Sequence, residues 1–363
     1  MTAARQRGNQ VALALAVVAA IAVAAGGFAS VAPNRLLSGK PVVLWQAAGA
    51  PASTAVVALV AALAAGAFAR WRGIGAMLGA ALLLAVLYAA GDMAGRLKGV
   101  VSLGAAFWTL LGAAALAVVD GMQRSRAGPL AMLGTAVAIL AAAALMAAAG
   151  WFDGLSLARE FHTRHDVFGP AVLRHIELVA GSVVPAIAIG VPLGLGTVRH
   201  PNWRGPIFAT LNLLQTIPSI ALFGLLIAPL TALGIGGVGP APALIALVLY
   251  ALLPVARSTA AGLGGIDPAV ADAARGMGMT ERQILWRVEI PLAAPVLLAG
   301  LRIVTVQTIG LAVVAALIGA GGLGSFVFAG LGQDAADLVL LGALPAIFLA
   351  LAADFLLRLA AGR

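Results

Sequence analysis

Long apolar runs separated by short polar breaks fill this chain from end to end. A helical bilayer span takes roughly 20 apolar residues, and about ten runs approach that length. Five lie in the first half: Val11–Val31, Ser53–Ala69, Ile74–Ala90, Val100–Val119 and Pro129–Gly150. Five follow: Val172–Val198, Pro206–Leu230, Ala241–Ala256, Pro295–Gly319 and Ala336–Leu359. The first run is long, sits among similar runs and precedes no convincing cleavage site, so it reads as a retained helix rather than a signal peptide. The pattern predicts an all-α polytopic membrane protein with about ten transmembrane helices.

Composition supports that class. Hydrophobic residues make up 62% and charged residues 10% of the 363 positions, with a mean hydropathy of +1.07. A soluble domain carries about 25% charged residues. The formal charge of +9 does not point to nucleic acid, because Lys and Arg stand singly or in pairs between apolar runs and form no stripe with aromatic platforms. Membrane orientation accounts for them better. With the N-terminus inside, fourteen fall on the cytoplasmic side: Arg5, Arg7, Arg70, Arg72, Arg124, Arg126, Arg199, Arg204, Arg257, Arg275, Arg282, Arg287, Arg358 and Arg363. Seven fall outside, namely Arg35, Lys40, Arg96, Lys98, Arg159, Arg164 and Arg174, and Arg302 lies within a span. Both termini are therefore expected in the cytoplasm. Cysteine is absent, which excludes disulfides and thiolate metal sites.

The chain divides near Gly150 into an N-terminal membrane region of about five helices, 1–150, an external linker, 151–171, and a C-terminal region, 172–363. The first half carries small-residue spacings, Gly75 to Gly79 and Gly91 to Gly95, that let helices approach closely. In the linker, His162 and His165 stand near Asp153, Glu160 and Asp166, but the spacing matches no ligand set, so no metal site is expected.

Between very apolar runs lies a polar island, Ala271–Pro295. Asp267-Pro268 reads as an N-cap with proline at the first helical position. Gly276 and Gly278 break that helix, and Thr280 with Gln283 three residues later fits a capping box for a second one. Pro291, which has no amide hydrogen, is expected to end it. Elsewhere, Asn212, Gln215, Thr216 and Ser219 interrupt an apolar run with Pro218 among them, and Thr305, Gln307 and Thr308 do so in the ninth span. Intramembrane polar groups line a path or bond neighbouring helices. Both readings stand. Glu177, near Arg174, reads as an interfacial ion pair.

The island's spacing, Asp272-Ala273-Ala274, then Gly276 and Gly278, then Val288, Ile290 and Pro291, resembles the EAA coupling loop of ABC importer permeases. Asp272, Val288 and Ile290 are conservative departures from that pattern. Further stretches share the likeness: HIELV at 175–179, GVPLG at 190–194, LQTIPSIALFGLLI at 214–227, YALLPVARSTAAGL at 250–263 and IGAGGLGSFVFAGL at 318–331. Together they resemble the permeases of glycine betaine, carnitine and choline importers, in a long form with extra N-terminal spans. The resemblance implies a type I, MetI-like ABC importer permease core over the last five helices, with a cytoplasmic coupling loop at 266–295. It implies a multi-pass protein of the bacterial cytoplasmic (inner) membrane. Partners would be cytoplasmic ABC ATPase subunits, an extracytoplasmic solute-binding protein, a second permease copy or a paralogous permease, and membrane lipid. The ATPase-coupling residues would be Asp272, Ala273, Ala274, Gly276, Gly278, Val288, Ile290 and Pro291. A translocation path would use Gln215, Thr216, Pro218, Ser219 and Gln307.

Catalysis is not expected in this chain. Its only lysines are Lys40 and Lys98, so no phosphate-cradling GxxxxGK[ST] loop exists, and neither HExxH nor GxSxG occurs. ATP would be hydrolysed on a separate subunit, and no cofactor is expected here. With two Tyr and six Trp, the chain is poorly supplied for a quaternary-ammonium cage, which places solute recognition on the binding protein. A methionine or other amino-acid importer permease is the alternative within the same mechanism. A secondary transporter or channel, which needs no docking island, is the alternative from another class.

Overall fold

The computed structural model describes residues 9–34, 37, 39–69, 71 and 73–361. Six arginines that enter the charge bias, Arg5, Arg7, Arg35, Arg70, Arg72 and Arg363, lie outside the described residues. The chain forms two compact units, one ending at Thr163 and one beginning at Arg164. The division falls inside the stretch expected as a linker.

The first unit runs α1 (Gln10–Ala25), β1 (Ala29–Ala32), β2 (Lys40–Val42), α2 (Leu44–Ala47), α3 (Ala50–Gly66), α4 (Ile74–Arg96), β3 (Val100–Leu103), α5 (Ala105–Arg124), α6 (Pro129–Ala148) and α7 (Ser156–Thr163). Two expected spans change at their ends. The Val11–Val31 run leaves the helix at Gly26 and finishes in β1, and Val100–Val119 begins as β3 before turning helical at Ala105. β1 is the middle strand of an antiparallel sheet, with Ser30 opposite Pro41 on one side and Ser102 on the other. Val31, Val42, Val100 and Val101 suit extended pairing, and Pro41 sits on an edge strand where its missing N–H is tolerated. Gly104 permits the tight crossing that joins sheet to helix, because a Cβ there would lie 2.2 Å from the Gly27 carbonyl oxygen. Phe28 and Phe107 meet edge to face at 5.8 Å above a core of Leu44, Leu63, Leu82, Met93 and Leu110. At the polar ends, Asp92 accepts the Gly49 N–H at 2.6 Å and pairs with Arg96, while Asp120 holds Asn9 at 2.6 Å and Arg124 at 2.9 Å.

The second unit runs α8 (His165–Arg199), α9 (Pro201–Thr216), α10 (Ser219–Ala232), α11 (Pro240–Gly264), α12 (Pro268–Gly276), α13 (Glu281–Ile284), α14 (Ile290–Val314), α15 (Gly324–Gly332) and α16 (Ala336–Ala360). α11 packs against both α8 and α14. Small residues allow it: a Cβ on Gly194 would meet the Ala256 carbonyl oxygen at 2.6 Å, and one on Gly300 would meet Ser258 at 2.2 Å. Arg174 ties α8 to the glycine turn after α14, reaching the Ala320 carbonyl at 3.2 Å and Glu177 at 2.9 Å. Arg302, alone in its span by sequence, pairs with Asp354 of α16 at 2.7 Å.

Among the described residues, seven helices are long and apolar enough to cross a membrane, α9 with α10 makes up to an eighth, and α1 and α3 are shorter apolar helices. That agrees with the expected count of about ten. Pro206–Leu230, expected as one span broken by Pro218, is a pair of helices turned by 101° there. Pro218 has no N–H to donate and disfavours helical backbone at Ile217, which is extended at φ −71, ψ 124.

The glycine spacings of α4 behave differently from one another. Gly79 packs on α5, where a Cβ would meet the Val118 nitrogen at 2.7 Å, and Gly91 seats the Trp151 indole, but Gly95 faces open space. Gly79→Leu is expected to lower first-unit stability by about 1–3 kcal/mol through overpacking, with Gly95→Ala neutral or slightly stabilising. Thermal unfolding of the detergent-purified protein checks this; indistinguishable melting of Gly79→Leu and wild type would refute it.

Candidate functional site

The polar island folds as a helical knuckle. Asp267 accepts the Ala269 N–H at 2.9 Å to cap α12, with Pro268 in its first turn. The helix ends in a Schellman motif: Met279 N–H donates to the Ala274 carbonyl at 3.1 Å and Gly278 N–H to that of Arg275 at 2.9 Å. Gly278 supplies the left-handed residue at φ +82. Thr280 and Gln283 then form the expected capping box, with the Thr280 N–H donating to the Gln283 side-chain oxygen at 2.8 Å.

Pro291 does not end the second helix, which corrects the sequence expectation. From Glu281 the chain passes through a π turn, Leu285–Glu289, and enters α14 without a stop. The Ile290 N–H reaches back to the Leu285 carbonyl. This widening sits just before Pro291, whose ring would crowd the Arg287 carbonyl in an unbroken α ladder.

Asp272, Ala273, Gly276, Gly278 and Pro291 are exposed, Val288 and Ile290 are half-buried, and Ala274 is buried. Nothing lies within 4 Å of where a side chain on Gly276 or Gly278 would start, so this face is open. Arg275 bonds Asp272 at 2.8 Å and Glu281 at 2.7 Å. The Glu281 hydrogen bond, then its charge, raise the Arg275 pKa above its ordinary value. Sequence reading missed Glu289, which is buried and bonded to Arg199. A carboxylate two residues before a proline in a polar run reads as solvated until tertiary structure covers it.

The broken span has its own bracing. Pro254 lies inside α11 and has no N–H, so the Tyr250 carbonyl four residues earlier loses its helical donor. The Gln215 amide donates to that carbonyl at 2.6 Å. In return, the Tyr250 hydroxyl donates to the Ile217 carbonyl freed at the bend. Thr216 donates to the Leu213 carbonyl at 2.7 Å, and Asn212 accepts from Arg257 at 2.6 Å. Thr216 and Pro218 are exposed and Ser219 and Gln307 half-buried; among the described residues no hydrogen bond joins Gln307 to the bend. The structure thus gathers Gln215, Thr216, Pro218 and Ser219 at one break, while Gln307 lies on α14.

Residues 186–363 match the family described as binding-protein-dependent transport system inner membrane component. Residues 6–158 match the N-terminal domain of the ABC transporter permease YehY. The osmoprotectant import permease protein OsmW of Salmonella typhimurium is 46% identical over 185 residues, covering 51% of this chain and 86% of that protein. The carnitine transport permease protein OpuCB of Listeria monocytogenes is 41% identical over 184 residues, covering 51% and 82%. The chain belongs to the permeases of binding-protein-dependent ABC importers. A solved structure of the methionine ABC transporter MetNI, facing inward, aligns with 55% of this permease and 99% of that chain at 25% identity and a TM-score of 0.49.

Two expectations follow for the permease. Gly278→Val places a β-branched residue at φ +82, where the left-handed conformation costs about 1–2 kcal/mol. Membrane insertion should survive while association with a cytoplasmic ATPase and uptake both fall, as co-purification and vesicle transport would show; normal values for both would remove the knuckle as a docking element. Tyr250→Phe and Gln215→Leu should each cost about 1 kcal/mol and lower uptake, with the double variant losing less than the sum because the two bonds brace one bend. Fully additive losses in unfolding experiments would contradict shared bracing.

Proposed function

We propose that this permease translocates a quaternary ammonium osmoprotectant such as glycine betaine, using ATP hydrolysed on a separate subunit. The observation that carries the reading is the 46% identity to an osmoprotectant import permease over 185 residues of the second unit. The second relative is named for carnitine, which, like glycine betaine, combines a trimethylammonium group with a carboxylate. Family membership supports a solute-binding protein outside and ATPase subunits inside, with a second permease copy or a paralogous permease completing the pore.

In this scheme the exposed face of Asp272, Ala273, Gly276 and Gly278, backed by Ala274, Val288, Ile290 and Pro291, docks the ATPase. Residues without side-chain bulk at Gly276 and Gly278 leave space that nothing within the chain requires, which suits a close-fitting partner groove. Thr216, Pro218 and Ser219 at the bend, together with Gln307, line the path, and Gln215 holds the bend open from behind. Closure of the ATPase pair draws two knuckles together, and the continuous helix from Glu281 into α14 carries that movement into the membrane. Both termini lie in the cytoplasm, as the charge bias supports. The N-terminal region adds further apolar helices to the chain.

The binding protein that co-purifies with the permease should bind glycine betaine, choline or carnitine and drive ATP-dependent uptake of the same solute in vesicles. Titration by calorimetry with these three and methionine tests it. Selective binding and uptake of methionine would replace the osmoprotectant reading, and uptake on an ion gradient without ATP would replace the importer mechanism.

A further inference from the structure

Glu289 is 8% exposed, and a carboxylate so covered calls for a partner. Its partner is Arg199, in the last turn of α8 and ninety residues away in sequence, whose guanidinium donates to the Glu289 carboxylate. Removing Arg199 would leave the Glu289 charge covered and uncompensated. A cation also suits the C-terminal end of α8, where the helix dipole is negative.

The π turn sets the direction of Glu289. It holds one residue more than an α turn, which rotates the knuckle side of the helix by about 100° relative to an unbroken helix. On the docking side, Asp272 bonds Arg275 and Arg275 bonds Glu281, and the charge of Arg199 acts on Glu281 as well as on Glu289. Alternating charges therefore run from the open face of the knuckle to the end of α8. α14 is joined to the knuckle by its own backbone, but α8 has no such covalent link.

We propose that Arg199 and Glu289 are positioning residues that lock the π turn to the end of α8, so that a displaced knuckle moves α8 and α14 as one body. This rests on the reading of the knuckle as the ATPase dock. It assigns α8 a driven role in transport and gives the covered Glu289 and its arginine partner a task distinct from docking.

The test uses the full permease reconstituted with its ATPase and binding protein, with glycine betaine uptake and ATP hydrolysis measured side by side. Glu289→Gln and Arg199→Gln should keep the ATPase bound and hydrolysing while solute moved per ATP falls roughly tenfold. Because the chain has no cysteine, an Arg199→Cys/Glu289→Cys variant can be bridged selectively by a short, reducible bis-methanethiosulfonate linker. That variant should be poorly coupled when reduced and recover coupling when bridged, and it decides the matter even if a glutamine variant fails to insert. Wild-type coupling in both glutamine variants would overturn the proposal, as would a bridge that blocks uptake, which would mean that the two segments move apart. Loss of the ATPase from inserted glutamine variants would overturn it too, by placing the pair in the dock itself. A wild-type complex that binds no ATPase or moves no glycine betaine would instead refute the functional reading.

Discussion

Inside a bilayer no water is at hand for a peptide group, so each carbonyl released by a proline or a bend needs a donor from the protein itself. The second unit is organised around that demand. Pro254 frees the Tyr250 carbonyl and the bend at Pro218 leaves the Ile217 carbonyl without a helical donor, and each is answered across the helix pair, one by the Gln215 amide and the other by the Tyr250 hydroxyl. Two defects that would each destabilise a lone helix become a mutual clamp when α9 and α11 lie side by side. The 101° bend persists because its exposed backbone is covered, and the same bend gathers the polar side chains of that span in one place.

Charge is distributed by the same economy of solvation. The knuckle's Asp272–Arg275–Glu281 group is exposed, and exposed ion pairs contribute only about 0–1 kcal/mol. Such pairs rearrange at little cost when a partner arrives. Glu289 is the opposite case, a covered carboxylate for which loss of its Arg199 partner is costly. In the proposed docking role, a soft outer surface joined to an inner tie would let the knuckle accommodate a partner and still pass on displacement. Arg302 and Asp354 meet the same constraint between α14 and α16.

The first unit solves a different problem. Its helices α4 and α5 approach so closely at Gly79 that backbone meets backbone, and a small antiparallel sheet joins the ends of α1 and α5. It has its own core around Phe28, Leu82 and Met93.

Local chemistry made much of this legible in the sequence. The apolar run lengths gave the helical membrane class and the approximate number of spans, and the caps at Asp267 and Thr280, with Gly278 between them, gave the knuckle, because each depends only on residues a few positions apart. Strand and helix at 29–32 and 100–103 were not separable, since short apolar runs satisfy both until a pairing partner is present. Pro291 was misread as a stop because a proline's missing N–H is local, whereas the π turn that carries the helix past it is held in a packed structure. Gln215 was visible as a polar group in an apolar span, but its role depends on a carbonyl freed by Pro254, 39 positions later in the chain. Glu289 and Arg302 were charges without evident partners, and only tertiary structure brought Arg199 and Asp354 to them, because an ion pair between helices depends on spatial register that no spacing within one helix encodes.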